Sequence, residues 1–240
     1  MSGVAVVTGA AGGIGSATVR QLTADGMTVV ALDLDADAAS AVSPQSYALD
    51  VSNADAVDDV MGRILAQFGR IDVLVNNAGI TGSQEATTAH ATPVDEFDKV
   101  MAVNVRGPFL CSRAVLPSMM EAGSGHIITI ASAAAIVAFP ARFAYTTSKG
   151  AALQLARSIA VDYARYGIRS NAICPGMVET PMTQWRLDQP ELRARMESQI
   201  PMGRVANPDE IADAVSVLAS GRLGYANGSA IVIDGGWTSL

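Results

Sequence analysis

The sequence predicts an α/β protein with a single Rossmann-type, doubly wound parallel sheet and helices on both faces. Short apolar runs rich in β-branched residues recur along the 240-residue chain, and stretches with helical periodicity separate them. The runs are continuously apolar rather than alternating, which is typical of strands covered on both faces. Because each crossover helix must return over the sheet before the next parallel strand begins, the alternation favours right-handed βαβ units.

Six apolar runs predict strands, over Val4 to Val7, Thr28 to Leu32, Ile71 to Val75, His126 to Ile130, Ile168 to Ile173 and Ala230 to Ile233. Helical periodicity predicts helices over Ile14 to Ala24 and Ala54 to Phe68. Asn53 is expected to cap the second of these helices, and Gly69 is expected to end it.

Length and composition favour one domain spanning residues 1–240. Half of the residues are apolar, 16% are charged, and the mean hydropathy is +0.29, which suits a compact protein with a large core. Residues 177–204 contain Pro181, Pro190 and Pro201, which divide the segment into two short helical pieces. We interpret this segment as a lid over a substrate.

Several classes of function are not favoured. No apolar run approaches the roughly 20 residues of a membrane span, and no signal sequence is evident, so we expect a cytoplasmic protein without a membrane partner. The net charge of -7 and the absence of a basic run argue against nucleic acid. Cys111, Cys174, His90 and His126 have no metal-ligand spacing, so we expect no metal.

A glycine-rich turn joins the first predicted strand to the first predicted helix. Gly9, Gly13, Ile14 and Gly15 lie in this turn, where glycine lets the backbone approach a diphosphate closely. The helix N-terminus adds free N–H groups and a positive dipole. The spacing is G-x-x-x-G-x-G rather than G-x-G-x-x-G, so the turn alone is also compatible with an ordinary tight connection.

Asp33 ends the second predicted strand, near the ~20-residue offset at which a carboxylate binds an adenosine ribose. A 2′-phosphate there would meet a like charge, and neither Leu34 nor Gly12 supplies a cation to offset it. The pattern therefore predicts NAD rather than NADP as the cofactor, unless Asp33 is only a solvated turn residue.

Tyr145 and Lys149 are spaced i,i+4, which places a phenol and an ammonium side by side on one helix face. An adjacent cation favours the phenolate, so Lys149 is expected to activate Tyr145 as an acid/base. Ser132 follows a predicted strand and is expected to donate a hydrogen bond to a substrate oxygen.

These residues resemble the short-chain dehydrogenase/reductase family from Thr8 to Gly236. The resemblance rests on six motifs in the family's order: Thr8-Gly-x-x-x-Gly13-Ile-Gly15, Asn76-Asn77-Ala78-Gly79, Asn104, Ser132, Tyr145-x-x-x-Lys149 and Pro175-Gly176. It implies that Asn104 completes a catalytic tetrad by helping to hold a water that links Lys149 to solvent.

The resemblance also implies further contacts with the cofactor. Asp50 and Val51 would hold the adenine, and Asn77, Ala78 and Gly79 would line the middle of the dinucleotide. Tyr145 and Lys149 would contact the nicotinamide half, where Lys149 binds the ribose. Pro175, Gly176, Val178 and Thr180 would lie at the carboxamide.

The implied reaction is hydride transfer between NAD(H) and a secondary alcohol or ketone. Ala134, Phe139, Met182 and Trp185 are expected to line an apolar substrate pocket, which favours a hydrophobic substrate. A 3-oxoacyl-[acyl-carrier-protein] reductase shares these motifs, but such enzymes generally use NADPH and carry a basic residue in place of Gly12. A non-catalytic nicotinamide sensor on the same fold is the alternative from another class.

The family is often tetrameric, so we expect a homotetramer. Its contacts would come from helices spanning about 104–120 and 148–164, through small or apolar residues such as Ala151, Ala152, Leu155, Ile159 and Ala160.

Overall fold

The computed structural model describes residues 3–83 and 87–239, and it contains one sheet of seven parallel strands. The strands are β1 (Val4–Thr8), β2 (Thr28–Asp33), β3 (Ser46–Ala48), β4 (Val73–Asn76), β5 (Gly125–Ile130), β6 (Ile168–Pro175) and β7 (Ala230–Ile233). Their order across the sheet is β3-β2-β1-β4-β5-β6-β7. This order confirms the predicted fold class, and it opens a crevice between the carboxyl ends of β1 and β4, where the winding direction reverses.

β3 is a strand that no apolar run predicted. It has only three residues, Ser46, Tyr47 and Ala48, and none of them is fully buried. A strand at the edge of a sheet has a neighbour on one side only, so its sequence need not be continuously apolar. Its pairing with β2 therefore comes from tertiary structure rather than from a local pattern.

Nine α-helices lie within the described residues. They are α1 (Gly13–Ala24), α2 (Ala36–Val42), α3 (Ala54–Phe68), α4 (Val94–Met101), α5 (Gly107–Ala122), α6 (Phe143–Tyr163), α7 (Pro181–Leu187), α8 (Pro190–Ser198) and α9 (Pro208–Ala219). The predicted ends of α3 are confirmed, since Asn53 Oδ1 accepts from the Ala56 amide at 3.1 Å and Gly69 adopts a φ of +72°.

α4 and α5 are joined by a π-helical turn over Ala102–Arg106, which contains Asn104. The sequence predicted a helix only from about residue 104, whereas helical structure begins at Val94. α7 and α8 are the two short helices predicted between residues 177 and 204. The role of this segment as a lid stays a prediction.

Helices cover both faces of the sheet. On one face, α3, α5 and α6 bury residues such as Met61, Val115 and Ile159 against Val6 and Ile127. On the other face, α1 and α9 bury apolar residues against the alternate positions of the same strands, among them Leu22, Ile211, Leu218, Val7 and Ile128. This two-sided burial explains why the strand sequences are continuously apolar.

Some of the residues expected to form contacts between subunits are buried within the chain. Ala152, Ile159 and Ala160 are buried within the chain itself, at 1%, 8% and 2% exposure, so they cannot form the expected face. Phe109 on α5 and Val161 on α6 are exposed apolar side chains on the same two helices. The homotetramer stays a prediction.

In the part of the chain that the structure describes, no helix is long and apolar enough to cross a membrane. Within those same residues, no three His, Cys, Asp or Glu side chains gather as a metal site requires.

Candidate active site

A cavity of about 770 Å³ lies at the carboxyl ends of the strands. Its walls come from the segments that follow β1 to β6 and from the first turns of α1, α6 and α7. Every residue predicted to bind the cofactor lines it: Gly9, Gly13, Ile14, Gly15, Asp33, Asp50, Val51, Asn77, Ala78, Gly79, Tyr145, Lys149, Pro175, Gly176, Val178 and Thr180. Residues scattered over more than 170 positions of sequence thus surround one space.

The glycine-rich turn leaves no room for side chains. A Cβ added to Gly15 would lie 2.1 Å from the Gly9 carbonyl oxygen, and one added to Gly13 would lie 2.7 Å from Thr180 Cγ2. Gly9 itself has a φ of +61°, which other residues adopt only with strain. α1 begins beside the cavity without a side-chain cap, so its first N–H groups are suited to binding an anion.

Thr8 and Asn77 lock the turn after β1 to the turn after β4. Thr8 Oγ1 accepts from the amides of Asn77 and Ala78, both at 3.1 Å. Asn77 Nδ2 donates in return to the carbonyls of Thr8 and Gly9, at 3.0 and 2.9 Å. The two sides of the crevice are therefore held at a fixed separation.

Asp33 faces the cavity from the end of β2. Its Oδ2 accepts from the Ala11 amide at 2.9 Å, and its Oδ1 accepts from the Asp35 amide at 3.3 Å. These two bonds fix the carboxylate beside the glycine-rich turn. A negative charge thus stands at the position where the sequence predicted a ribose contact.

Ser132 and Tyr145 lie together at the other end of the cavity. Ser132 caps a short 3₁₀ turn (Ala133–Ala135), where its Oγ accepts from the Ala134 amide at 3.1 Å. Burial raises the pKa of Tyr145, and a hydrogen bond with Ser132 opposes this shift. Tyr145 is accordingly protonated at neutral pH in the free protein, in the form that a proton donor needs.

Lys149 lies one helical turn beyond Tyr145, with Nζ 5.7 Å from the centre of the phenol ring. Its ammonium donates to the Ile130 carbonyl at 2.9 Å. Burial lowers the pKa of Lys149 to about 8, and the nearby Cys174 opposes that shift. The activation of Tyr145 by Lys149 stays a prediction, because the pKa of the phenol is raised here rather than lowered.

Asn104 lies behind the cavity and does not line it. Its Oδ1 accepts from the Ile80 amide at 2.8 Å, and its Nδ2 donates to the Ile80 carbonyl at 2.8 Å and to Ser148 Oγ at 2.9 Å. Ser148 in turn donates to the Tyr145 carbonyl at 2.8 Å. Asn104 thus connects the turn after β4 to the first turn of α6, and its predicted role toward a water stays a prediction.

Of the four residues expected to line a substrate pocket, Met182 lines the cavity. Ala134 is buried, Phe139 stacks on Trp237 with ring centroids 4.8 Å apart, and Trp185 lies against two arginines. These three do not line the cavity, and their contact with substrate stays a prediction.

Sequence reasoning missed other residues of this wall, including Ser52, Lys99 and Thr183. Each is a single polar residue on a turn or a helix. No sequence spacing distinguishes such a residue from an ordinary solvated one. Only their place beside the strand ends identifies them.

The sheet and the cavity together define an α/β protein of the dinucleotide-binding type, with serine, tyrosine and lysine at one end of its site. A family model described as Enoyl-(Acyl carrier protein) reductase matches residues 9–238. The 2-(R)-hydroxypropyl-CoM dehydrogenase of Xanthobacter autotrophicus is 53% identical over the full length of both chains. The D-threitol dehydrogenase of Mycolicibacterium smegmatis is 38% identical over 98% of this chain and 92% of its own.

A solved structure gives the same assignment. The aldohexose dehydrogenase of Thermoplasma acidophilum superposes with a TM-score of 0.91, at 31% identity, over 100% of this chain and 95% of its own. The chain therefore belongs to the short-chain dehydrogenase/reductase family, and it is an oxidoreductase. Dehydrogenases of this family use nicotinamide cofactors, and the glycine turn that added Cβ atoms would fill fits the diphosphate of such a group.

Proposed function

We propose that this protein is an NAD(H)-dependent oxidoreductase that transfers a hydride between nicotinamide and a secondary alcohol or ketone, with Tyr145 as the acid/base. One observation carries the proposal: Ser132, Tyr145 and Lys149 line the same cavity as the glycine-rich turn and Asp33. A sensor that only bound the dinucleotide would have no use for a phenol and a hydroxyl beside a buried ammonium.

The bound nicotinamide supplies the hydride chemistry, and the protein supplies position and proton transfer. In reduction, Ser132 and Tyr145 donate hydrogen bonds to the carbonyl oxygen, and the Tyr145 phenol gives its proton to the oxygen as the alcohol forms. In oxidation, the Tyr145 phenolate accepts the alcohol proton. The Lys149 ammonium stabilises that phenolate by its charge.

NAD is the cofactor that Asp33 favours. Its carboxylate, held by the Ala11 amide, is suited to accept hydrogen bonds from ribose hydroxyls, whereas a 2′-phosphate would be repelled. Gly12 and Leu34 next to it offer no compensating cation. This argues for NAD over the NADPH that a 3-oxoacyl-[acyl-carrier-protein] reductase would require.

A second observation concerns the substrate. Trp185 on α7 lies near two guanidinium groups, with Arg142 Cζ at 6.0 Å and Arg186 Cζ at 4.7 Å from the centre of its ring. Arg142 is three residues before Tyr145, and Ala141 before it has a φ of +53°, the one positive φ among described residues other than glycine. Such strain is concentrated at functional positions.

These arginines favour a secondary alcohol that carries an anionic group. The relative from Xanthobacter autotrophicus is named for 2-(R)-hydroxypropyl-CoM. The CoM part of that compound ends in a sulfonate, which is an oxyanion. Guanidinium groups bind such oxyanions through paired hydrogen bonds. We therefore propose an anionic hydroxyalkyl substrate of this class, in place of the hydrophobic substrate that the sequence suggested.

The first test follows reduced-nicotinamide absorbance with NAD and NADP over a panel that includes 2-hydroxypropyl-CoM, neutral secondary alcohols and 3-oxoacyl thioesters. Tyr145→Phe is expected to lower NAD-linked turnover by roughly 10²- to 10⁴-fold while NADH still binds. Tight NADH binding without turnover of any substrate would favour the sensor instead.

The anionic subsite has its own test. Arg186→Gln and Arg142→Gln are expected to raise KM for 2-hydroxypropyl-CoM roughly tenfold or more, the loss of one charged hydrogen bond, with little change for a neutral alcohol. Arg195→Gln, on the exposed side of α8, is the matched control. Equal effects on charged and neutral substrates would remove the arginines from substrate binding.

A further inference from the structure

The backbone of Val178 faces the cavity. Residues 177–179 form a bridge with Ala206, in which the Ala206 amide donates to the Met177 carbonyl and the Glu179 amide donates to the Ala206 carbonyl, both at 2.9 Å. A parallel bridge of this kind uses groups on either side of the central residue, whose own N–H and C=O point the other way. Val178 lines the cavity while its side chain is buried in the core, so the backbone forms this part of the wall.

Thr183, in the first turn of α7, organises the polar groups next to Val178. Its Oγ1 lies 2.5 Å from the Val178 carbonyl and 3.1 Å from both the amide and the hydroxyl of Thr180. A hydroxyl has one proton and two lone pairs. The proton goes to the Val178 carbonyl because this acceptor is the nearest one, whereas the carbonyl and hydroxyl oxygens of Thr180 both lie 3.1 Å away.

The two lone pairs of Thr183 therefore accept from Thr180, one from its amide and one from its hydroxyl. The methyl group of Thr180 packs on the other side, where an added Cβ on Gly13 would come within 2.7 Å of it. The Thr180 side chain is thus held between α7 and the glycine-rich turn. Its proton points to Thr183, one of its lone pairs faces the Thr183 amide in the capping box of α7, and the other remains to accept a hydrogen bond.

We infer that Thr183 is a positioning residue for the carboxamide of the nicotinamide, acting through Thr180. This rests on the proposed function. A carboxamide offers two N–H donors and one oxygen acceptor. The Val178 N–H can donate to the carboxamide oxygen. Thr180 Oγ1, which is fixed as an acceptor, can accept from a carboxamide N–H. A reversed carboxamide would direct its oxygen at the lone pairs of Thr180, so Thr183 enforces one orientation.

The test compares Thr183→Val, which keeps the shape but removes the hydroxyl, with Thr183→Ser, which keeps the hydroxyl. Dissociation constants are measured by calorimetry for NADH and for ADP-ribose, which lacks the nicotinamide ring. Thr183→Val is expected to weaken NADH about five- to tenfold, the effect of roughly one hydrogen bond, and to leave ADP-ribose within about twofold. Thr183→Ser is expected to bind both ligands like the native protein.

Three results would overturn the inference. Equal weakening of NADH and ADP-ribose in Thr183→Val would mean that the hydroxyl merely supports the fold of the segment. Unchanged NADH binding would mean that it does not act on the carboxamide, and a loss in Thr183→Ser equal to that in Thr183→Val would exclude the hydroxyl as the cause. Failure of the native protein to bind either ligand would instead overturn the proposed function itself, and this inference with it.

Discussion

The ammonium of Lys149 donates a 2.9 Å hydrogen bond to the carbonyl of Ile130, the last residue of β5. One donor of the ammonium is thus used to hold it at the carboxyl edge of the sheet, and two remain for other partners. Lys149 is only 6% exposed, so its charge is costly in the free protein. Because this burial lowers the pKa of Lys149, the protonation of Lys149 can be measured as a pH dependence of the free energy of unfolding.

Lys149 is expected to make stability depend on alkaline pH. Its pKa is about 8 in the folded chain and 10.5 in the reference state, so between these values the unfolded chain binds more protons. The free energy of unfolding should therefore rise with pH across this window, by about 3 kcal/mol relative to Lys149→Met. Urea unfolding at several pH values measures it, with the exposed Lys99→Met as control; parallel curves for native protein and Lys149→Met would contradict it.

Asp33→Asn is expected to relax the cofactor preference. The amide keeps an acceptor for the Ala11 N–H but removes the charge that repels a 2′-phosphate. The ratio of kcat/KM for NADP to that for NAD should rise roughly tenfold or more. A tenfold change corresponds to a charge interaction strong enough to shift a pKa by about one unit. Asp37→Asn, in the first turn of α2, should leave the ratio alone. A native protein that prefers NADP would show the charge argument to be wrong.

Gly15→Ala is expected to abolish tight NADH binding, because its Cβ would lie 2.1 Å from the Gly9 carbonyl oxygen and the turn would have to shift. Gly62→Ala is the matched control. Nothing lies within 4 Å of its added Cβ, and in the middle of α3 it should stabilise the fold by about 1 kcal/mol. Fluorescence titration with NADH and urea unfolding measure the two effects. Native-like NADH affinity in Gly15→Ala would show that the diphosphate does not use this turn.

His126 is expected to make the protein sensitive to acid. Asn171 Nδ2 donates to His126 Nε2 at 2.9 Å, so the neutral ring carries its proton on Nδ1, 3.1 Å from the Leu218 carbonyl. Burial lowers the pKa of His126 from 6.5 to about 4, and the neighbouring Arg169 adds to that shift. Only the unfolded chain gains a proton between these values, so stability falls by about 3 kcal/mol as pH drops from 6.5 to 4.

The comparison with the second histidine isolates this effect. His126→Gln should flatten the fall in unfolding free energy between pH 7 and pH 4, although it lowers stability at pH 7 through lost packing. His90→Gln, at an exposed position, should retain the native slope. If both variants keep that slope, His126 is not the group responsible.

The sequence by itself determined the features that depend on near neighbours. The apolar runs predicted six of the seven strands, because residues buried on both faces must be apolar wherever the strand lies in the sheet. Asn53 and Gly69 predicted the ends of α3, because caps act within one turn. The glycine-rich turn and the Tyr145–Lys149 spacing were equally local.

Tertiary structure alone decided which of these pieces meet. Thr8 holds the Asn77 amide from 69 positions away, and Asn104 bonds to Ser148 across 44 positions, contacts that no periodicity encodes. Residues 46–48 form β3 because they pair with the edge of β2. Thr183 bonds to the Val178 carbonyl because the segment that follows β6 lies beside the first turn of α7. A local sequence pattern indicates how deeply a residue is buried. The order of the strands in the sheet determines which residues lie next to it.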